Sequence, residues 1–164
     1  MKKFSSISLE TPIGYLIIRG DEKAVHEISF NDDNQNEEGL SNPILAQCKS
    51  QLEAYFKKDR STFNFPILPK GTNFQEEVWQ KLLEIPYGKT ISYKQLANNL
   101  GNIKKIRAAA SANGKNPLAI VIPCHRVIGA DGSMTGYASG VWRKRWLLEH
   151  ENAISKKPDQ LSLF

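Results

Sequence analysis

The first seventy residues alternate between short apolar runs and polar turns. Residues 15–18 (Tyr-Leu-Ile-Ile) and 24–30 (Ala-Val-His-Glu-Ile-Ser-Phe) are rich in β-prone side chains, and a Gly-Asp-Glu turn lies between them. This spacing predicts a β-hairpin. Residues 62–67 also alternate and predict a further strand, whereas residues 31–39 are polar without a period and predict a mobile loop.

Residues 43–57 carry apolar side chains at helical spacing and predict one amphipathic helix. Its apolar stripe consists of Ile44, Leu45, Cys48, Leu52, Tyr55 and Phe56. Cys48 lies on that stripe, so we interpret it as a small buried apolar residue. Residues 69–72 (Pro-Lys-Gly-Thr) predict a linker, and residues 1–70 are interpreted as a small α/β domain without a reactive cluster of its own.

From residue 73 the chain takes on a helical period. A first apolar stripe runs over residues 74–83 and ends before a Pro-Tyr-Gly turn. Ser92 is the predicted N-cap of a helix over residues 93–100, which Gly101 ends, and a second helix follows over residues 103–113. Two short helices joined by a glycine-containing turn are typical of a helix-turn-helix, although many helical pairs share this pattern.

The second of these helices has an unusual composition. Lys104, Lys105 and Arg107 open it, and residues 108–112 (Ala-Ala-Ala-Ser-Ala) continue it. A helix that reads base edges in the major groove normally carries Asn, Gln or Arg side chains there, whereas residues 108–112 are only Ala and Ser. So slim a helix suits either close packing against another helix or entry into the narrow minor groove of DNA, and the basic residues at its start favour contact with phosphate.

Residues 118–122 are apolar and predict a short buried strand that runs into Pro123-Cys124-His125-Arg126. A cysteine beside a histidine and an arginine lies where a thiolate is stabilised. A proton relay from Cys124 to His125 requires the chain to turn after Pro123, or a bridging water. The candidates for a carboxylate that orients His125 are Glu149 and Glu151, at the end of a helix predicted over residues 143–150. The pair alone also fits a cysteine hydrolase, or a buried cysteine beside a surface histidine.

Charge is divided unevenly along the chain. Residues 1–70 hold nine Lys and Arg against ten Asp and Glu, whereas residues 71–164 hold thirteen against seven. A basic half joined to a neutral one indicates a polyanionic partner that meets one face, although a lysine-rich solvated surface gives the same count.

The composition also narrows the compartment and the ligands. The longest apolar stretch, residues 118–123, is far shorter than the roughly 20 residues that cross a bilayer. No apolar segment follows the basic N-terminus, so we expect no signal peptide and a cytoplasmic, reducing location. Two cysteines and three histidines without paired spacing predict neither a metal site nor a cofactor.

The segment Pro123-Cys124-His125-Arg126-Val127-Ile128-Gly129 resembles the active-site signature of the O6-methylguanine-DNA methyltransferases. Further segments agree in order and spacing: Phe74-Gln75 with Val78-Trp79, Ile85-Pro86-Tyr87-Gly88, Ser92-Tyr93 with Leu96-Ala97, Arg107-Ala108, Asn116-Pro117, Gly136-Tyr137, and Trp146-Leu147-Leu148-Glu149-His150-Glu151. The resemblance is strong over about residues 72–152 and looser before them. It implies a small ribonuclease H-like α/β domain over residues 1–70 and a mainly helical domain with a helix-turn-helix over residues 71–152.

The resemblance also implies the chemistry. Cys124 would attack the alkyl carbon, His125 would take the thiol proton through a water, and Glu151 would hold the imidazole. Asn116 would brace the turn, and Tyr93 would protonate the departing guanine. Because no residue here cleaves a thioether, the protein would act once.

The same resemblance predicts the surfaces that bind substrate. The flipped base would be bound by Val127, Tyr137 and Ala138, the first and last through their backbone. The predicted DNA contacts are Arg107, Ala108, Ala109, Lys105, Lys115 and Arg126, with Arg107 filling the gap left in the base stack. The expected partner of a monomeric protein is double-stranded DNA that contains alkylated guanine.

The sequence departs from the family pattern at two points, and two alternative functions remain open. Ala138 stands where many relatives have Ser, and the zinc ligands of some relatives are missing here. A non-catalytic DNA-binding protein on the same domain is one rival, but relatives of that kind replace the cysteine that Cys124 keeps. The other rival is a cysteine hydrolase.

The end of the chain carries a separate signal. Residues 152–159 are mostly polar, and the last five are Gln160-Leu161-Ser162-Leu163-Phe164. This ending is similar to the pentapeptide by which bacterial proteins dock into the sliding clamp of the replicative polymerase. Leu163 and Phe164 would fill an apolar pocket of the clamp, and Gln160 would bond at its rim. The alternative is that Leu161 and Phe164 pack on the protein's own surface.

Overall fold

The computed structural model describes residues 4–33 and 42–155. Most of the loop predicted over residues 31–39 and the whole clamp-like segment 160–164 lie outside the described residues. The N-terminal part is a three-stranded antiparallel sheet in the order β1 (Ser5–Thr11), β2 (Gly14–Gly20) and β3 (Val25–Asn31).

The predicted hairpin is confirmed as β2 and β3, with Ile18 opposite Ile28. The first strand was not predicted, because its Ile7 and Leu9 alternate with serines and give a weak apolar signal. Helix α1 (Pro43–Phe56) packs on this sheet, and Cys48 is completely buried within it, as the stripe predicted. Burial raises the pKa of the Cys48 thiol to about 12, which disfavours its thiolate form.

The strand predicted over residues 62–67 is wrong. This segment makes one isolated β-bridge, between Ile67 and Val25. The N–H of Val25 donates to the carbonyl of Pro66 at 2.9 Å. Because Pro66 has no N–H group, a hydrogen-bonded ladder does not continue through it.

The C-terminal part is mainly helical, and the predicted α/β fold class is confirmed. Helices α2 (Asn73–Leu82) and α3 (Tyr93–Asn99) both begin with a capping box. Ser92 caps α3 as predicted, and Gly101 beyond its end has a φ of 89°. A 3-10 turn, Ile103–Lys105, then leads into α4 (Ile106–Gly114), which completes the predicted helix-turn-helix.

The strand predicted over residues 118–122 is also wrong. Only Leu118 bridges β3, at Ile28, and the chain then turns through Ile120, whose φ is 71°. The apolar run indicated burial correctly but not conformation, since the Asn116 side chain satisfies the backbone of this turn. A second 3-10 turn, Cys124–Arg126, precedes β5 (Val127–Ile128), which pairs in parallel with β4 (Ile91–Ser92).

The last helix, α5 (Val141–His150), begins two residues before its predicted start. Its buried face carries Arg143, Lys144, Leu147 and Leu148 and leads to Glu151, which follows the helix. Among the described residues, no helix combines the length and the apolar composition that crossing a membrane requires.

Candidate active site

Cys124 opens the 3-10 turn that follows Pro123, so the chain bends at the position that a Cys–His relay requires. Asn116 holds the chain just before it. Its side-chain amide donates to the carbonyl of Ile122 at 2.6 Å, and its oxygen accepts from the N–H of Leu118 at 2.9 Å. Cys124 is only 6% exposed.

A small pocket of about 30 Å³ lies against Cys124. Its lining residues are Asn113, Gly114, Asn116, Ala119, Cys124, Gly136, Tyr137, Ala138 and Ser139. Pockets that hold small ligands usually measure about 300–1,000 Å³, so this pocket is too small for a ligand of that kind. Tyr137 and Ala138 therefore lie beside the thiol, whereas Val127 is buried in β5 and its N–H donates to the carbonyl of Cys124.

His125 and Glu151 form a fully buried pair, with Nε2 and Oε2 2.8 Å apart. Because a carboxylate only accepts, Nε2 carries the proton and Nδ1 keeps its lone pair. Nδ1 is buried and has no hydrogen-bond partner within the described part of the chain. Burial lowers the pKa of His125 and outweighs the effect of Glu151, which raises it, so the ring is neutral at neutral pH.

Glu151 accepts further hydrogen bonds from Arg126, whose Nε and Nη2 lie 2.8 and 3.1 Å from its two oxygens. Burial alone would raise the pKa of Glu151, but the hydrogen bonds and charges of His125 and Arg126 hold it well below its usual range. Arg126 also donates to the carbonyl of Ile85 at 2.7 Å and is 6% exposed. Arg126 was predicted as a DNA contact, and that prediction is wrong because its guanidinium is buried on Glu151.

The Cys124 thiol is protonated at rest. Burial raises its pKa, although a hydrogen bond from Asn116 and the positive charge of Lys144 act in the opposite direction. A thiol of this kind becomes a nucleophile only when a base removes its proton. The neutral ring of His125, the next residue in the chain, is the candidate for that base.

Tyr93 lies beside Gly136, one of the residues that line the pocket. Its hydroxyl donates to the carbonyl of Thr135 at 3.1 Å, and a Cβ added at Gly136 would come within 3.3 Å of it. Burial raises the pKa of Tyr93, and the neighbouring Cys124 raises it further.

Sequence reasoning missed Lys144, a completely buried lysine on α5. Its Nζ donates to the carbonyl of Thr135 at 3.0 Å and lies 3.4 Å from the hydroxyl of Tyr93. Burial lowers the pKa of Lys144 to about 8. A signal existed in the sequence, because Lys144 lies seven residues before Glu151 and therefore on the same helical face.

Helix α4 has one exposed and one buried face. Arg107, Ala108 and Lys115 are exposed, whereas Lys105 is half-buried with its Nζ 5.8 Å from the centre of the Phe74 ring. Ala109 is completely buried where α4 packs on α2, so its predicted contact with DNA is wrong. The packing explanation for the small residues therefore holds for one face of this helix only.

Fold and site together define a class of protein: a small sheet domain joined to a helix-turn-helix domain that carries a buried cysteine backed by a His–Glu pair. Residues 73–153 match the family domain described as "6-O-methylguanine DNA methyltransferase, DNA binding domain", and residues 6–69 match its "ribonuclease-like domain". The chain belongs to the O6-methylguanine DNA methyltransferase family.

Individual relatives agree over most of their length. A methylated-DNA–protein-cysteine methyltransferase of Methanosarcina acetivorans is 42% identical over 149 residues, which cover 88% of this chain and 96% of the relative. A constitutive protein of the same name from Bacillus subtilis is 40% identical over 156 residues, covering 90% and 94%. The crystal structure of the Mycobacterium tuberculosis O6-methylguanine methyltransferase matches with a TM-score of 0.83 at 37% identity, covering 98% and 99%. A crystal structure of Mycobacterium tuberculosis OGT in complex with DNA matches with a TM-score of 0.81 at 38% identity, covering 92% of each chain.

Proposed function

We propose that this protein repairs DNA by direct reversal, moving the alkyl group from O6 of guanine to the sulfur of Cys124. The observation that carries the proposal is a thiol on a small pocket, together with its neighbour in sequence, His125, which forms a fully buried pair with Glu151. The family of the chain and the names of its relatives support the same reaction. The protein would act as a monomer on double-stranded DNA in the cytoplasm, without a cofactor.

The reaction begins with removal of the thiol proton. Nδ1 of His125 accepts that proton through a bridging water, and the imidazolium that forms is stabilised by the Glu151 carboxylate. Asn116 keeps the turn in place, so that the sulfur stays aimed at the pocket.

Group transfer then follows. The thiolate sulfur forms a bond to the alkyl carbon while the bond from that carbon to O6 breaks, and the electron pair passes to the guanine. Tyr93 gives its proton to the guanine, because a guanine anion is a poor leaving group. The product thioether has no nearby group that cleaves it, so each molecule reacts once.

The alkyl carbon is out of reach within a duplex, so the guanine must be rotated out at a cost of about a few kcal/mol. The exposed face of α4 would enter the minor groove, with Arg107 filling the gap in the base stack and Lys115 near phosphate. Since the pocket measures only about 30 Å³, we expect residues 136–139 to move when the base enters. The backbone of Ala138 and Val127 and the ring of Tyr137 would then contact it.

Intact-mass measurement tests the proposal directly. After incubation with an oligonucleotide that contains O6-methylguanine, the protein should gain one methyl group, located on the Cys124 peptide. Cys124→Ser should lose transfer and keep DNA binding, with Cys48→Ser as the matched control that reacts normally. Tight binding without mass gain would indicate a binding module, and repeated cleavage of an ester or amide would indicate a hydrolase.

We further propose that the C-terminal segment binds a bacterial sliding clamp through Gln160, Leu161, Leu163 and Phe164. The support is the sequence: two apolar positions close a polar stretch, which suits a short linear motif that orders on binding. Deleting residues 160–164 should abolish binding to purified clamp and leave methyl transfer to a free oligonucleotide unchanged. Undiminished clamp binding by the shortened protein would overturn this part.

A further inference from the structure

The Glu151 carboxylate accepts a hydrogen bond from the N-terminal domain. The hydroxyl of Tyr55, on α1, donates to Oε2 of Glu151 at 2.6 Å across 96 positions of sequence. The same oxygen accepts from Nε2 of His125 at 2.8 Å and from Nη2 of Arg126 at 3.1 Å. Tyr55 and His125 therefore donate to the same carboxylate oxygen, and the hydrogen bond from Tyr55 weakens the one from His125.

Packing fixes the direction in which Tyr55 points. Its side chain is completely buried, and its ring centre lies 5.1–6.3 Å from the ring centres of Phe56, Phe63, Tyr87 and His150. Nε2 of His150 also donates to the backbone carbonyl of Tyr55 at 2.8 Å. A ring held on several sides cannot move its hydroxyl away from Glu151.

Tyr55 acts as a donor throughout the working pH range. Burial raises its pKa well above the usual value, and the negative charge of Glu151 raises it further. The phenol therefore stays protonated and does not exchange its proton with the pair.

We infer that Tyr55 is a positioning residue of the reaction, through which the N-terminal domain holds the Glu151 carboxylate and limits how strongly it binds His125. This inference rests on the proposed transfer to Cys124. It assigns to the sheet domain a part in the chemistry beyond that of a scaffold.

The titratable or charged groups that face the His125–Glu151 pair lie on several elements of the described structure. They are Tyr55 on α1, Tyr87 after α2, Arg126 on the 3-10 turn, Tyr137 before α5, and Lys144 on α5. The test therefore has to change one of them while the others stay.

Tyr55→Phe removes only the oxygen, and Tyr87→Phe, on a neighbouring ring whose hydroxyl does not bond Glu151, is the matched control. Without the Tyr55 donor, Oε2 binds the imidazole more strongly, so the pKa of His125 rises. In the pH profile of the single-turnover rate of methyl transfer, the fall in rate on the acid side should then lie about half a pH unit or more higher than in wild type. Tyr87→Phe should keep the wild-type profile.

If Tyr55 only stabilised the fold, Tyr55→Phe would lower the melting temperature and leave the pH profile of methyl transfer unchanged. This result would overturn the inference. NMR titration of the His125 ring provides a readout that does not depend on methyl transfer. If the wild-type protein transferred no methyl group, the proposed function would fail, yet the same titration would still show whether Tyr55 controls His125.

A second variant covers the case in which Tyr55→Phe does not fold. Fluorinated tyrosine at position 55 keeps the shape of the ring and makes its hydroxyl a stronger donor. The pKa of His125 should then fall relative to wild type, opposite to the effect of Tyr55→Phe. An unchanged pKa of His125 in this variant would overturn the inference.

Discussion

The two sides of Cys124 are built in opposite ways. On the base side, His125, Glu151, Arg126 and Tyr55 are buried and joined by hydrogen bonds of 2.6–3.1 Å. Tyr55, His125 and Arg126 all donate to the Glu151 carboxylate, so the base is assembled before any substrate arrives.

The other side of Cys124, called the donor side here, holds Tyr93, the proposed proton donor, and Lys144, and its contacts are looser. Tyr93 is half-buried, and the contact of its hydroxyl with Nζ of Lys144 measures 3.4 Å, which is long for a hydrogen bond. Both groups bond the carbonyl of Thr135, which borders the segment that we expect to move when a base enters. The difference suits the proposed order of events, in which the thiol loses its proton before the guanine needs one. Changes on the base side should therefore affect folding and reaction together, and changes on the donor side mainly the reaction.

The largest effect is expected from Glu151→Gln. The amide leaves the buried Arg126 guanidinium without its charge partner, and breaking a buried ion pair costs about 3–5 kcal/mol of unfolding free energy. The amide N–H₂ also favours the other tautomer of His125, in which Nδ1 carries the proton and cannot accept one. Methyl transfer should fall by about 10³–10⁴-fold, the size of the loss when a triad carboxylate becomes an amide.

Denaturant unfolding and single-turnover kinetics on the same preparation check both parts. Glu77→Gln, on the exposed surface of α2, is the matched control and should leave both quantities unchanged. If Glu151→Gln unfolded normally and transferred at the wild-type rate, the base side would not be the assembled unit described above.

Tyr93→Phe should have the next largest effect and a different signature. Loss of a general acid usually costs about 10²–10⁴-fold, and we expect the lower end because the transition state retains its other contacts. Folding stability and DNA affinity should change little, since the hydroxyl makes only a half-exposed hydrogen bond. Tyr15→Phe, on β2, is the control, and wild-type transfer by Tyr93→Phe would remove Tyr93 from the mechanism.

Local patterns predicted most of the helices but not every strand. Helical spacing located α1, α2 and α3, and Ser92 marked the start of α3, because these signals depend on near neighbours. The apolar run over residues 118–122 was misjudged, since burial is common to strands and buried turns. What distinguishes them here is Asn116, whose side chain replaces the hydrogen bonds of a sheet.

The site was predictable only where its residues are close in sequence or share a helical face. Cys124 and His125 are adjacent, and Glu151 follows the last helix, so sequence and resemblance together indicated all three. Tyr55 could not be predicted, because its contact with Glu151 depends on how the two domains pack. Arg126 was misassigned for the same reason: a basic residue beside a thiol indicates phosphate until its buried carboxylate partner is known.

The smallest effect, and the sharpest test of the donor side, is expected from Lys144→Met. The folded protein holds the pKa of Lys144 at about 8, against 10.5 for a free lysine. Between these values the unfolded chain binds more protons than the folded one, so wild-type stability rises with pH through this window. The buried cation destabilises the protein below about pH 8, and that cost is relieved as the pH rises towards that of a free lysine.

Methionine has a similar length and no charge, so the Lys144→Met protein lacks this dependence. The difference in unfolding free energy between the two proteins should therefore change by about 1–2 kcal/mol between pH 8 and pH 10, in favour of wild type at the higher pH. Methyl transfer at neutral pH should fall only about tenfold, because Lys144 supports Tyr93 and the thiolate without reacting itself. Lys94→Met, on the exposed face of α3, should give curves parallel to wild type. If Lys144→Met also gave parallel curves, Lys144 would titrate like a solvated lysine, and the donor side would contain no buried charge to distinguish it from the base side.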